Sequence, residues 1–132
     1  MKRIFVLVAA IGILSFCVYA EADATKADEE AAKSGNVKAQ TALAKRYFKG
    51  EGIGQDDKEA YRWFLVAAAR KDPEALHHLA MFPEEGRLEP ADHKKATVLY
   101  EKAARLGYVP SQLSLAALYR KATPPALRKS VH

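Results

Sequence analysis

His77, His78 and His93, the adjacent carboxylates Glu84 and Glu85, and the run Gly50-Glu51-Gly52-Ile53-Gly54 are the residues whose types could do chemistry in this chain. Imidazoles bind metal when a helix presents them at i, i+3 or i, i+4, because those spacings share one face. His77 and His78 are neighbours and point about 100° apart. His93 falls beyond the next loop, so no further imidazole joins them at that spacing. Glu84 and Glu85 could serve as acid and base, but beside Gly86 they read as solvated loop carboxylates. Ser34, Ser111 and Ser114 stand in no nucleophile motif. The glycine run has neither the Lys-Ser/Thr pair nor the preceding strand of a phosphate-binding loop. These residues predict no catalytic centre, no metal and no cofactor.

What the histidines and glycines sit in is a repeat. Residues 39–74 laid over 75–110 align without a gap, pairing Ala39/Ala75, Leu43/Leu79, Ala44/Ala80, Gly50/Gly86, Asp56/Asp92, Lys58/Lys94, Ala60/Ala96, Ala67/Ala103 and Ala68/Ala104. Two periods on, Gln40, Leu43, Ala44, Tyr47 and Lys49 recur as Gln112, Leu115, Ala116, Tyr119 and Lys121. Upstream, Ala31 and Ala32 stand one period before Ala67 and Ala68, and Gly35 and Val37 stand two periods before Gly107 and Val109. A fixed period of this length marks stacked supersecondary units.

Each period reads as two helices. Gln40, Leu43, Ala44 and Tyr47 form one helical stripe over 37–49. Gly50 stops that helix, because glycine tolerates the positive φ of a tight turn. Asp56 caps the next, with Glu59 as its expected capping-box partner. That second helix aligns Ala60, Trp63, Phe64, Ala67 and Ala68. In the second unit Pro83 stands where Tyr47 stood, which predicts a helix ending near Phe82 and a longer loop over 84–91. Ala96, Leu99, Tyr100, Ala103 and Ala104 then line the following helix, closed by Gly107. The expectation is an all-α fold: a short α/α solenoid, or superhelix, of about three helical hairpins, made of two full units flanked by half units.

Before the repeat, Lys2 and Arg3 precede the apolar run Ile4–Phe16, and Val18-Tyr19-Ala20 offer a cleavage site. These are the three parts of a secretory signal peptide. The division expected is therefore 1–20 signal peptide, 21–121 repeat domain and 122–132 flexible tail. Leu14-Ser15-Phe16-Cys17 is similar to a lipobox, but Phe16 departs from the small residue required before a lipidated cysteine. Cleavage near Ala20 would release a periplasmic or secreted chain with no cysteine and no stable membrane insertion. Taking Lys2 and Arg3 from the 21 basic residues leaves 19 against 16 acidic ones, a net charge of +3. That balance argues against nucleic acid as the partner.

The combination Ala39-x3-Leu43-Ala44-x2-Tyr47-x2-Gly50-x-Gly52-Ile53, followed by Asp56-x-Lys58-x-Ala60-x2-Trp63-Phe64-x2-Ala67-Ala68, resembles the Sel1-like repeat family, relatives of the tetratricopeptide repeat. The second copy departs at Pro83 and Leu88, where the family has an aromatic residue and a glycine. The likeness covers roughly residues 27–121. It implies a non-enzymatic adaptor or scaffold of the bacterial envelope that binds another protein; neutralisation of a secreted effector is the alternative role, and a small envelope hydrolase the alternative class. In a helical solenoid the first helix of each hairpin lines the concave face. Its positions off the core stripe are the candidate partner contacts: Thr41, Lys45, Phe48, His77, Met81, Leu113, Ala117 and Arg120. Leu113 and Leu118 on the last helix, with no following helix to cover them, could also support self-association.

Overall fold

The computed structural model describes residues 23–125. The segment expected to be a signal peptide, with Cys17, lies outside the described residues, as does the chain beyond residue 125. Among the described residues six helices follow one another: α1 (residues 23–33), α2 (Val37–Lys49), α3 (Asp57–Ala69), α4 (Pro73–Glu85), α5 (His93–Arg105) and α6 (Val109–Ala122). No strand occurs among the described residues. Contacts run between neighbours in the chain, with α2 on α3, α3 on α4, α4 on α5 and α5 on α6. That pattern is a short all-α solenoid.

The 36-residue period is reproduced in the backbone. At the end of α2 the Arg46 carbonyl accepts from the N–H groups of Gly50 and Glu51, and the Tyr47 carbonyl accepts from Asp56. At the end of α4 the Phe82 carbonyl accepts from Gly86 and Arg87, and the Pro83 carbonyl accepts from Asp92. Every partner is shifted by one period. Gly50 and Gly86 take the left-handed conformation at φ 74° and 70°, closing each helix.

Pro83 therefore does not end its helix near Phe82, and α4 runs on to Glu85. Proline removes one N–H, but this position needs its carbonyl, and the fixed φ of proline suits a helix. The loop 86–92 consequently has the same length as 50–56, and the expected longer loop is absent. Asp56 and Asp92 cap α3 and α5 by accepting from Lys58 and Glu59, and from Lys94 and Lys95. Glu59 does not close a capping box. The Asp56 N–H is already held by Tyr47, and the Glu59 carboxylate turns instead to Arg62 at 2.7 Å.

Alanines set the spacing of the helices. Ala44, Ala60, Ala67, Ala75, Ala80, Ala96 and Ala103 are completely buried, so backbones approach closely where they sit. Phe64 and Phe82 fill the spaces between them, with Trp63, Phe48 and Leu79 around them. Full burial of one such aromatic contributes about 1.5–3 kcal/mol.

A buried carboxylate joins the first hairpin to the second. Asp72 caps α4 by accepting from Ala75, and the same carboxylate accepts from the Thr41 hydroxyl of α2 at 2.5 Å. Asp92 makes only exposed cap bonds. Asp72→Ala is therefore expected to cost about 2–3 kcal/mol, since it orphans a buried hydroxyl as well as removing a cap. Asp92→Ala should cost about 1 kcal/mol. Equal losses in urea unfolding would show that Asp72 acts as a cap alone.

Candidate interaction surfaces

The residues expected to face a partner separate into three groups. Thr41, Phe48 and Leu118 are core residues, exposed by 1%, 7% and 9%. Thr41 is spent on Asp72. Phe48 packs edge-on against Phe64 and Phe82, with the Arg87 guanidinium 4.0 Å above its ring. Thr41 and Phe48 leave any partner surface, and Leu118 reaches only the floor of a groove between α5 and α6. For Thr41 and Phe48 the reason is geometric: their helix is covered on one side by its own second helix and on another by the start and end of the following unit's first helix. Its buried arc is wider than one stripe.

Lys45, His77 and Met81 are partly buried. Lys45 bonds Glu74 at 2.7 Å, which together with the Coulomb attraction of that carboxylate outweighs burial and raises its pKa. His77 Nδ1 lies 2.8 Å from Ser111 Oγ, and its ring sits between those of Tyr100 and Tyr108. The pair has the elements of a nucleophile and base, but Ser111 is completely buried and cannot meet a substrate. It ties α4 to α6. Met81 packs between the two halves of the core.

Leu113, Ala117 and Arg120 are exposed, Leu113 by 68%. Glu84 and Glu85 do not converge. Glu84 accepts from the Tyr100 hydroxyl, while Glu85 lies 3.8 Å from Arg87. The Tyr100 pKa is raised, first by burial and then by that carboxylate.

The main apolar groove lies elsewhere. It holds about 520 Å³ between α3 and α5, over the last turns of α4. Tyr61 forms one wall and Val98 and Leu99 the other; Leu79, Phe82 and Pro83 make the floor, and Leu88 stands at the rim with Lys94 and Lys95. Tyr61, Leu88 and Val98 are each at least 37% exposed. Arg87 anchors the loop below, 3.2 Å from Asp57 and stacked on Phe48. A narrower groove of about 350 Å³ lies between α5 and α6, where Thr97, Leu118 and Tyr119 repeat the positions of Tyr61, Phe82 and Pro83.

Leu88 takes a φ of 65°, at the position where Gly52 takes 71° in the first unit. A β-carbon in that conformation costs roughly 1–2 kcal/mol. Sequence reasoning noticed Leu88 only as a missing glycine. Nothing in periodicity marks Tyr61 or Val98, because they stand on the outward side of helices already explained by their buried faces.

A family model described as Sel1 repeat matches residues 37–72 and 73–108. Among solved structures, a protective antigen present in uropathogenic Escherichia coli strains, displaying an SLR fold, superposes with a TM-score of 0.73 at 29% identity. The match covers 78% of this chain and 22% of that one, so this chain spans about a fifth of the antigen's length. A Sel1 repeat protein from Oxalobacter formigenes superposes with a TM-score of 0.64 at 35% identity, over 74% of this chain and 73% of that one. No curated protein matches the sequence.

Two substitutions probe these surfaces. Leu88→Gly should stabilise the fold by about 0.5–1 kcal/mol, strain relief exceeding the added freedom of the unfolded chain. A loss of stability in thermal unfolding would mean that the side chain packs more than it strains. His78 is stacked on Phe64 at 5.0 Å with its Nδ1 buried and unbonded, and burial, then the neighbouring His77, pushes its pKa down to about 4. Below its ordinary value of 6.5 the unfolded chain takes up a proton that the folded chain refuses. The stability present above pH 6.5 should thus fall by about 3 kcal/mol as the pH drops to 4. His78→Phe should remove most of that slope, and an unchanged slope would place the titration elsewhere.

Proposed function

Because the chain belongs to the Sel1 repeat family, whose members generally mediate protein–protein interaction and are typically non-catalytic scaffolds, we propose that it is an adaptor that seats a partner protein in the groove between α3 and α5. The supporting observation is Leu88. An exposed leucine held at positive φ, where the preceding unit has glycine, keeps an apolar side chain at the groove rim against its conformational preference. Strain of this kind persists where it serves a site. Tyr61 and Val98 offer apolar area on rigid helices, so little side-chain entropy is lost on binding. Lys94 and Lys95 flank them and favour a partner segment carrying acidic residues beside its apolar anchor.

The setting proposed is the periplasm or exterior of a bacterial cell. Lys2-Arg3, the apolar run through Phe16 and the small residue Ala20 support export. Among the described residues no helix is long and apolar enough to cross a membrane. The two structural neighbours named above come from bacteria.

The test is photo-crosslinking in the native host, with a reactive amino acid at Val98 in the groove or at Lys45 on the opposite helices. The expected result is one recurrent envelope protein linked from Val98, little from Lys45, and loss of the link in Leu88→Asp. Equal capture from both positions, or capture unaffected by Leu88→Asp, would remove the groove from the reading.

A further inference from the structure

The first and last described helices, α1 and α6, are halves of one hairpin. In the complete hairpins, Ala44 on the first helix and Ala60 on the second are fully buried, as are Ala80 and Ala96. The corresponding residues at the ends are Ala116 on α6 and Ala24 on α1, and both are exposed. The helix that would cover Ala116 is of the α1 type, and the helix that would cover Ala24 is of the α6 type.

Charge agrees with this register. One position of the first helix touches one position of the second in each complete hairpin: Phe48 meets Phe64 with ring centroids 6.3 Å apart, and Glu84 meets Tyr100 through a hydrogen bond. The same two positions at the ends hold Arg120 on α6 and Asp28 on α1. No ion pair among the described residues engages Arg120. Asp28 receives Arg46 on Oδ2 alone, which leaves Oδ1 for a second cation. Around this pair the last turn of α6 is basic, with Arg120 and Lys121, and α1 carries Asp23, Glu29 and Glu30. The first hairpin shows the same arrangement, since Arg46 and Lys49 end α2 while Asp57 and Glu59 begin α3.

The geometry points to a second copy of this chain as the partner of α6: α6 of one copy packs on α1 of the next in the register of α2 on α3, with Arg120 against Asp28. Such a contact is heterologous, head to tail, and extends the solenoid by one hairpin per junction. It also completes the smaller groove. The α3–α4 groove is walled on its far side by α5, and the α5–α6 groove would be walled by α1 of the second copy. This inference rests on the helix ends and is independent of the occupant of the first groove.

Sedimentation of the purified protein from micromolar to near-millimolar concentration tests it. The expected result is concentration-dependent growth beyond a dimer. Ala116→Glu and Ala24→Glu, each on an exposed residue, should each weaken association at least about tenfold, to near-monomer. Mixed together they should form a dimer and stop there, since each variant retains one intact end. Arg120→Glu should act as Ala116→Glu does, and it serves in place of that variant should the latter lose helicity. A wild-type protein monomeric throughout would overturn the proposal. So would association that survives Ala24→Glu, which would indicate a symmetric α6–α6 contact, or a mixture of the two variants that stays monomeric.

Discussion

Close approach of helices through alanine is the constraint on which this structure depends. Seven alanines at zero exposure hold α2 to α5 at distances that no larger side chain would permit. With the helices so near, the aromatic residues have defined spaces to fill, and Phe48, Phe64 and Phe82 meet edge to face rather than sliding past one another. Edge-on aromatic contacts add about 0.5–1.5 kcal/mol beyond area alone. The same closeness makes the period strict. Inserting one residue in a helix would turn every alanine about 100° away from its partner.

The loops obey this constraint rather than imposing it. Both turns between the helices of a hairpin reuse one backbone hydrogen-bond pattern, and Pro83 is accepted because that pattern asks it for a carbonyl and not for an N–H. The turn between hairpins is also repeated. Gly35 and Gly107 take φ of 95° and 84°, and Lys71 between them takes 59° despite its side chain. Geometry demanded by packing prevails over local preference at Lys71 and at Leu88 alike. Only at Leu88 does the strained residue also border an apolar groove, which separates a cost tolerated for packing from one that accompanies a surface.

The fold was legible because its determinants recur. Alanine spacing, cap aspartates and turn glycines each appear twice or more, so periodicity exposes them. Asp72 was less visible, since its bond to Thr41 crosses 31 residues and belongs to no motif. The partner surface was legible only in part. Thr41 and Phe48 lie off the stripe of a helix packed on one side, yet they are buried because a second neighbour covers them. A stripe read from one helix cannot register that second neighbour, and the groove walls Tyr61 and Val98 escape it for the complementary reason. Their partners are open space and residues from another unit.

Stacked repeats transmit this logic to their ends. Interior helices have neighbours before and after them, whereas α6 packs back on α5 and, through Ser111, on α4 with no later partner among the described residues, and its exposed Val109, Leu113 and Tyr119 follow from that. An interior position that packs two apolar groups gains from their burial, as Phe48 and Phe64 do. An end position must stay soluble while it waits for a neighbour, and a charge serves better there. Arg120 and Asp28 are that substitution: opposite charges at the two positions where interior units use an aromatic pair or a carboxylate and a hydroxyl. Apart, Arg120 is solvated and Asp28 is paired with Arg46 alone; brought together in the register of the repeat, Arg120 adds a second cation at that carboxylate and specifies the alignment. The chemistry of the ends thus differs from that of the interior in kind but not in position.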